Sequence, residues 1–279
     1  NKKIILYFHN DPLTMNGSKK IKDRLYLLNN IDKILFNSKW SQKRFFIGID
    51  NEELLKQKTS VCYQSTSKVK INFSKKKKLI SFVGKLNRAK GYDLFGEAII
   101  KILNKYPNWK SNVFGDEPRE KLIFKHKNLN VQGFKPHKVV LKNFKETSIT
   151  VVCSRWEEPF GRTSLEASSR GCAVIISNRG GLPETVSNAI ILRNLNSENL
   201  FKSIEKLILN KKVRNNLQKN SLKNFYLTNE YVTNKIDKYR SNIFEYKKSP
   251  DNESINNKKF KILHVTNFNE RHNGRLFYN

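Results

Sequence analysis

The sequence predicts an α/β fold in which a mainly parallel sheet is covered by helices on both faces. Short apolar runs alternate along the chain with longer stretches whose apolar residues recur at helical spacing, as they do between Phe95 and Leu103. Strands that alternate with helices in this way form doubly wound parallel sheets. A hydrophobic content of 38% is sufficient for a packed core.

Each predicted strand is a short apolar run that ends at a turn-forming residue, and each predicted helix has one apolar face. The predicted strands span residues 4–8, 34–36, 79–83, 112–114, 130–132, 149–153, 173–176, 189–192 and 260–265. The predicted helices span residues 19–29, 40–46, 92–106, 139–144, 164–170, 200–209, 213–224 and 231–246. Residues 51–74 are polar and show no clear period. The four lysines at 75–78 are predicted to form a solvated linker.

The chain carries 54 basic and 24 acidic residues, which gives a formal net charge of +30. Such a surplus suits an anionic partner: nucleic acid, an acidic membrane face or a phosphorylated substrate. The basic residues are spread along the chain and are not interleaved with aromatic residues, which disfavours specific nucleic-acid binding. Dispersed lysines can still act on an anionic membrane through their summed field, which predicts a peripheral contact with the inner membrane face.

The cysteines and histidines predict neither disulfides nor a metal site. Cys62, Cys153 and Cys172 are an odd number with no close pair, which indicates small buried thiols in a reducing compartment, the cytoplasm. The five histidines form no cluster with ligand spacing. The longest apolar runs are too short to span a bilayer. Because the chain begins with Asn1 and not with Met, it is expected to be a fragment of a longer product.

Glycine-containing loops follow four of the predicted strands, after Val83, Phe114, Cys153 and Ile176. In a parallel sheet, ligands bind where the loops leave the carboxyl ends of the strands. We therefore expect the functional site in these loops, and two of them are unusually rich in polar side chains.

The loop after Cys153 carries two carboxylates, Glu158 and Glu166, eight residues apart. A carboxylate accepts two hydrogen bonds from vicinal sugar hydroxyls, so each could hold one sugar ring. Gly161 lets the backbone approach a ligand, and a helix predicted to begin at about Thr163 would offer free amides to a diphosphate. A plainer interpretation stays open, in which Glu166 completes a capping box with Thr163 and Glu158 is surface charge.

The loop after Val83 places Lys85 and Lys90 between Gly84 and Gly91. Two lysines at this spacing could converge on a pyrophosphate and stabilise its charge as it leaves. Lysines are common throughout this chain, so their position after a buried strand indicates more than their identity does.

Two weaker candidates complete the set. Residues 178–184 form a turn with paired glycines that ends in Glu184, and this turn could also be only a tight connection whose carboxylate lies in the first turn of a helix. His9 ends the first strand, although a lone histidine is more often structural.

In their order and spacing, the three loops resemble the motifs of the retaining glycosyltransferases of family four, which have the GT-B fold. That family has a glycine–cation loop ending in Lys-Gly, then a Glu-x7-Glu element containing Glu-x-Phe-Gly, then a Gly-Gly-x-x-Glu turn. The resemblance extends from about Leu79 to Tyr246 and implies Rossmann-like, doubly wound parallel sheets. The matching residues are Gly84-Lys85 to Lys90-Gly91, Glu158 to Glu166, and Gly180-Gly181-Leu182-Pro183-Glu184.

The resemblance implies a role for each motif. The two lysines would bind the donor diphosphate, Glu158 would hold the donor sugar together with the backbone around Gly161, and Glu166 would hold the ribose. In Tyr7-Phe8-His9-Asn10-Asp11-Pro12, the histidine matches one that lies near the reacting sugar in the family. The residues implied to take part in catalysis are His9, Lys85, Lys90 and Glu158, and those implied to bind the donor are Gly84, Phe160, Gly161, Arg162, Thr163 and Glu166.

The resemblance also implies a domain order. Residues 1–74 would be the carboxyl-terminal part of the acceptor domain, 75–248 the complete donor domain with its closing helix, 249–257 a linker, and 258–279 the start of a further domain of a tandem protein. Because the acceptor domain would be truncated, this piece alone is not expected to complete a transfer. Family members commonly have arginine where Lys85 stands; arginine holds phosphate with two hydrogen bonds, whereas lysine acts as a point charge.

The implied reaction transfers a hexosyl group from a nucleoside diphosphate sugar to a saccharide or lipid-linked acceptor, with retained configuration, in the synthesis of cell-surface polysaccharide or lipopolysaccharide. No metal or cofactor is expected, because Lys85, Lys90 and the helix start at Thr163 would neutralise the leaving diphosphate. Two alternatives stay open: a basic α/β protein that binds nucleic acid, and a GT-B epimerase.

Overall fold

The computed structural model describes residues 3–245 and 261–265 of the chain. The strands in this part are β1 (Ile4–Phe8), β2 (Lys33–Phe36), β3 (Thr59–Val61), β4 (Lys77–Val83), β5 (Lys110–Phe114), β6 (Leu129–Val131), β7 (Thr147–Val152), β8 (Ala173–Ser177), β9 (Ile190–Leu192) and β10 (Lys261–Val265). The helices are α1 (Ile21–Asn30), α2 (Lys39–Phe46), α3 (Glu52–Lys58), α4 (Tyr92–Lys105), α5 (His137–Glu146), α6 (Arg162–Ser168), α7 (Ser197–Leu209), α8 (Lys211–Lys223) and α9 (Asn229–Glu245).

The strands form two sheets, in which every pairing among the described residues is parallel. The first sheet has the order β10-β1-β2-β3 and the second has the order β6-β5-β4-β7-β8-β9. The described residues divide into two compact units, residues 3–63 with 232–245 and 261–265, and residues 64–231. The predicted α/β fold with parallel sheets is confirmed.

In the first unit, β1 and β2 are continuous apolar runs because both of their faces are covered. One face packs against Phe45 of α2, and the other packs against Val232, Ile236 and Tyr239 of α9. None of the helices in the described ranges is both long enough and apolar enough to cross a membrane.

In the second unit, the central strands β4, β7 and β8 are also covered on both faces. Phe82, Val151 and Ile175 belong to a cluster with the apolar faces of α4 and α7. Val174 and Ile176 point to the other face and pack with Phe144 of α5 and Ala167 of α6. Because the strands are parallel, the carboxyl ends of β4, β5, β7 and β8 meet at one edge of the sheet.

All the helices and strands predicted within the described residues are present, with bounds that differ by a few residues. The segment 51–74, which shows no clear period, contains α3 and β3. Helix α3 has only two apolar residues, and its start is fixed locally by Asn51, whose side-chain oxygen accepts a hydrogen bond from the backbone nitrogen of Leu54 at 3.0 Å. A helix this short offers too few apolar positions for a period to be recognised.

The prediction of a solvated linker at residues 75–78 is wrong. Lys77 begins β4, and Nζ of Lys76 donates to the carbonyl oxygens of Phe144 (2.9 Å), Thr147 (2.8 Å) and Arg170 (2.8 Å). Burial lowers the pKa of Lys76 below its usual value, and the three carbonyl groups compensate for the lost hydration. This lysine therefore joins the end of α5, the start of β7 and the chain after α6.

The structure places residues 64–74 with the second unit, whereas the sequence predicts that the second domain begins at residue 75. The backbone nitrogen of Thr66 donates to the carbonyl oxygen of Leu227 at 3.1 Å, which ties this segment to the chain that follows α8. Strand β10 pairs with β1, from Ile4 opposite Lys261 to Phe8 opposite Val265. The predicted linker at 249–257 and the residues after 265 lie outside the described ranges, and the start of a further domain stays a prediction.

Gly91, directly before α4, determines how closely two loops of the second unit approach each other. Its φ is +73°, and an added Cβ would lie 1.9 Å from the carbonyl oxygen of Cys153. Gly133 has a similar φ of +67°, but no described atom lies within 4 Å of its added Cβ. A comparison of alanine substitutions at these two glycines therefore separates the energetic cost of a left-handed backbone from the cost of a steric clash.

We expect Gly91→Ala to lower the free energy of unfolding by about 2–5 kcal/mol, because a left-handed backbone costs about 1–2 kcal/mol and overpacking about 1–3 kcal/mol more. The control variant Gly133→Ala should lose only about 1–2 kcal/mol. The measurement is urea unfolding followed by circular dichroism. Equal losses of unfolding free energy in the two variants would show that a side chain at residue 91 does not clash with Cys153.

Candidate active site

Two loops at the carboxyl edge of the second sheet are joined to each other: the β4 loop (residues 84–91) and the β7 loop (residues 153–161). The carbonyl oxygen of Ala89 accepts hydrogen bonds from the backbone nitrogens of Arg155 (2.9 Å) and Trp156 (3.0 Å) and from Oγ of Ser154 (3.1 Å). Strands β4 and β7 are neighbours in the sheet, so the two loops leave it side by side. The structure thus brings the first two predicted motifs into one site.

An ion pair between the start of α4 and the β7 loop reinforces this junction. Arg155 donates to both carboxylate oxygens of Asp93, at 2.6 Å and 2.8 Å, and also to the carbonyl oxygen of Arg88 at 2.7 Å. Burial by itself raises the pKa of Asp93, but the hydrogen bonds and charge of Arg155 outweigh it and hold that pKa below its usual value. Bidentate pairing of this kind fixes orientation as well as distance.

Lys90 and Glu158 form an ion pair across the two loops. The side chain of Glu158 is only 13% exposed, and that of Lys90 is 32% exposed. The glycine turn (residues 178–184) packs directly on this glutamate, because an added Cβ on Gly180 would lie 2.2 Å from the carbonyl oxygen of Glu158. The backbone nitrogen of Gly181 donates to the same oxygen at 2.6 Å. The interpretation of Glu158 as plain surface charge is therefore wrong.

Glu166 does not serve as a helix cap. Helix α6 begins at Arg162 after Gly161, which is its N-cap, and no side chain caps it. One oxygen of the Glu166 carboxylate instead accepts hydrogen bonds from Arg162 (3.0 Å) and from Nε2 of His137 (3.0 Å). The capping-box alternative is wrong, and His137 is a site residue that no sequence motif indicates.

Lys85 lies in the exposed part of the β4 loop, near Glu117 in the loop after β5. The hydrogen bonds from Arg119, at 2.7 Å and 2.8 Å, are the main cause that lowers the pKa of Glu117 to about 2, and the charge of Lys85 contributes. Gly84 also approaches this loop, because an added Cβ on Gly115 would lie 1.8 Å from the carbonyl oxygen of Gly84. Glu117 is a further carboxylate at this edge, and the sequence does not single it out.

The remaining predicted donor residues surround the start of α6. Phe160 is buried, whereas Arg162 is exposed. Gly161 has a φ of +115°, and an added Cβ would lie 2.4 Å from Cδ2 of Leu182 in the glycine turn. Oγ1 of Thr163 donates to the carbonyl oxygen of Val83 at 3.4 Å, which ties α6 to the end of β4. These residues lie at the same sheet edge as the two loops.

His9 belongs to the other unit, directly after β1. Its ring lies 4.3 Å from the ring of Tyr7, and its carbonyl oxygen accepts a hydrogen bond from Nδ2 of Asn37 at 2.8 Å. Its role near a reacting sugar stays a prediction. The three cysteines are free and buried. Within residues 3–245 and 261–265, no three His, Cys, Asp or Glu side chains come together as a group that could hold a metal ion.

The second unit thus presents cations and carboxylates in pairs at one sheet edge. Cations at such an edge can neutralise a diphosphate, and carboxylates can accept hydrogen bonds from sugar hydroxyls. The structure brings Lys90 together with Glu158, and Arg162 together with Glu166. Lys85 lies on the side of Glu117.

Residues 64–224 match the family of glycosyl transferases group 1. The chain is similar to an uncharacterized 41.2 kDa protein in the cps region of Klebsiella pneumoniae, at 29% identity over 163 residues, which cover 57% of this chain and 42% of that protein. It is also similar to spore coat protein SA of Bacillus subtilis (strain 168), at 29% identity over 126 residues, which cover 39% of this chain and 33% of that protein. The chain thus spans less than half the length of these two relatives.

The fold is similar to that of HepE from Anabaena, solved in complex with UDP and glucose, with a TM-score of 0.68 at 17% identity over 85% of this chain and 71% of that chain. The match to the family covers more than half of the sequence and contains the β4 loop, the β7 loop and the glycine turn. The chain therefore belongs to the glycosyl transferases group 1 family and has the GT-B type of fold.

Proposed function

We propose that this chain is the donor-binding part of a retaining glycosyltransferase of family four. The whole protein would transfer a hexosyl group from a nucleoside diphosphate sugar to a saccharide or lipid-linked acceptor, in the cytoplasm, for a cell-surface polysaccharide or lipopolysaccharide. The observation that carries the proposal is the pairing of Lys90 with Glu158 across two joined loops, with Arg162 and Glu166 at the same sheet edge. The solved complex of Anabaena HepE with UDP and glucose supports this choice of donor.

Different side chains of the site bind different parts of the donor. Lys85 and Lys90, with the start of α6, hold the diphosphate and stabilise the charge that develops as it leaves. Glu158 holds hydroxyl groups of the sugar, and its ion pair with Lys90 keeps the sugar-binding and phosphate-binding groups adjacent. Glu166 holds the ribose. The acid–base pair of a glycosidase is not used, because the leaving phosphate assists attack from the same face, and no metal is required.

We expect at least one of UDP, GDP and ADP to bind the full chain in isothermal titration calorimetry. Glu166→Gln should weaken this binding about tenfold, because one of two charged acceptor oxygens is lost and a hydrogen bond to a charged group contributes about 1.5–3 kcal/mol. Lys90→Ala should weaken it by a similar factor. Glu198→Gln, on an exposed carboxylate of α7, is the control and should bind normally. Unchanged binding by folded Glu166→Gln protein would refute the ribose assignment.

The proposal includes a peripheral contact with an anionic membrane, and a lysine-lined groove of the second unit supports it. The groove has a volume of about 760 Å³ and lies at the amino end of β4, on the edge opposite the candidate active site. Six of its ten lining residues are lysines, whereas about one residue in five is basic in the chain as a whole. They are Lys70, Lys75, Lys76, Lys77, Lys142 and Lys145.

Four of these lysines are available to an anionic surface. Lys76 is engaged by carbonyl groups and Lys77 by Glu146, but no described carboxylate pairs with the other four. The groove has neither arginine nor an aromatic side chain, which disfavours a single-stranded nucleic acid, because such sites combine cations with aromatic rings for stacking. Lysines near an anionic bilayer each contribute about 1 kcal/mol.

We expect replacement of Lys70, Lys75, Lys142 and Lys145 by glutamine to weaken binding to phosphatidylcholine vesicles that contain phosphatidylglycerol by at least about tenfold. The measurement is vesicle co-sedimentation at low and moderate salt, with pure phosphatidylcholine as the reference surface.

The control variant replaces four exposed lysines elsewhere in the unit by glutamine and should cause a much smaller loss of vesicle binding. They are Lys125, Lys127, Lys206 and Lys212. Equal losses in the two variants would show that the total charge, and not the groove, attracts the membrane. Tight binding of single-stranded RNA that the groove variant abolishes would favour the nucleic-acid alternative.

A further inference from the structure

The carboxylate of Glu166 is held through one of its two oxygens. Nε2 of His137 and the guanidinium of Arg162 both reach Oε1, each at 3.0 Å. No described residue donates a hydrogen bond to Oε2. The side chain is only 7% exposed, so its orientation is set by its neighbours and not by water. Because a carboxylate only accepts, Nε2 of the histidine carries the hydrogen in this bond.

The two donors come from different elements. Arg162 lies four residues before Glu166 on α6, and its own side chain is 46% exposed, so this pairing within one helix contributes little by itself. His137 is the first residue of α5 and approaches from another helix. Two donors from separate directions fix the rotation of the carboxylate, which neither donor does alone. The buried guanidinium of Arg170 adds a second positive charge near this group, beside that of Arg162.

The packing below the site makes the position of His137 rigid. Val140 and Phe144, one and two turns further along α5, are buried in the same cluster as Ala167, the neighbour of Glu166 in α6. The two helices are thus locked together by apolar contacts directly beneath the hydrogen bond. A histidine supported in this way can fix the orientation of a carboxylate that binds a ligand.

We propose that His137 is a positioning residue for the donor ribose: it holds Oε1 of Glu166 so that Oε2 is directed to the ribose hydroxyls. This inference rests on the proposed function, in which Glu166 binds the ribose. His137 acts through Glu166, so its contribution to binding depends on the presence of the 2′ and 3′ hydroxyls.

The test compares a nucleotide with its deoxygenated form. The tightest binder among UDP, GDP and ADP and its 2′,3′-dideoxy counterpart are titrated into the full chain and into His137→Ala by calorimetry. We expect His137→Ala to weaken the ribonucleotide about fivefold, the usual contribution of one hydrogen bond, and the dideoxynucleotide less than about twofold. His137→Gln keeps a donor near Oε1 and should restore most of the ribonucleotide affinity.

Lys138→Ala changes the next, exposed residue of α5 and is the matched control, with no effect on either nucleotide. An equal loss for both nucleotides, or no loss for either, in a His137→Ala protein with an unchanged melting temperature would overturn the positioning role while leaving the proposed function intact. If the unaltered chain binds none of the three diphosphates, the proposed function itself fails, and this inference fails with it.

Discussion

The approach of the β4 loop to the β7 loop is the constraint on which the candidate site depends. Gly91 brings its backbone against the carbonyl group of Cys153, where a side chain at residue 91 has no room. Ala89 then accepts two backbone hydrogen bonds from the β7 loop, and Arg155 clamps Asp93 at the start of α4. With these contacts in place, the side chain of Lys90 lies within reach of Glu158. The ion pair is therefore a consequence of backbone packing between neighbouring parallel strands.

The same principle explains the other glycines of the site. Glycine after a strand suggests close approach of a ligand, yet the described contacts of Gly161 and Gly180 are with Leu182 and Glu158. These glycines let the α6 start and the glycine turn pack on each other, with the backbone of Glu158 beneath. Their first role is to build a rigid edge, and a ligand that binds there meets a surface whose shape is already fixed.

Much of this arrangement could be predicted from sequence. Strands buried on both faces appear as apolar runs, helices with one apolar face appear as apolar residues at helical spacing, and the order of the loops between them indicates the site. The residues that could not be predicted act across long separations. His137 reaches Glu166 from the first turn of α5, where no motif marks it, and the carboxylate of Glu117 lies near Lys85 of the β4 loop. The burial of Lys76 could not be predicted, because a run of lysines has the composition of a solvated segment. Its ammonium group is stabilised by three carbonyl groups that are distant in sequence.

The basic residues at the two edges of the second sheet differ in whether a carboxylate pairs with them. At the carboxyl edge, Lys90, Arg155 and Arg162 are each paired with a carboxylate, so these cations are held in place and their charge is largely compensated. At the amino edge, the groove lysines 70, 75, 142 and 145 have no such partner among the described residues. Paired cations have fixed geometry, which suits recognition of one ligand, whereas uncompensated lysines act through a field that decays over about 8–10 Å and attracts any extended anionic surface. Because the two sets lie on opposite edges of one sheet, the proposed membrane contact at the amino edge would leave the carboxyl edge of the second unit accessible to the proposed donor.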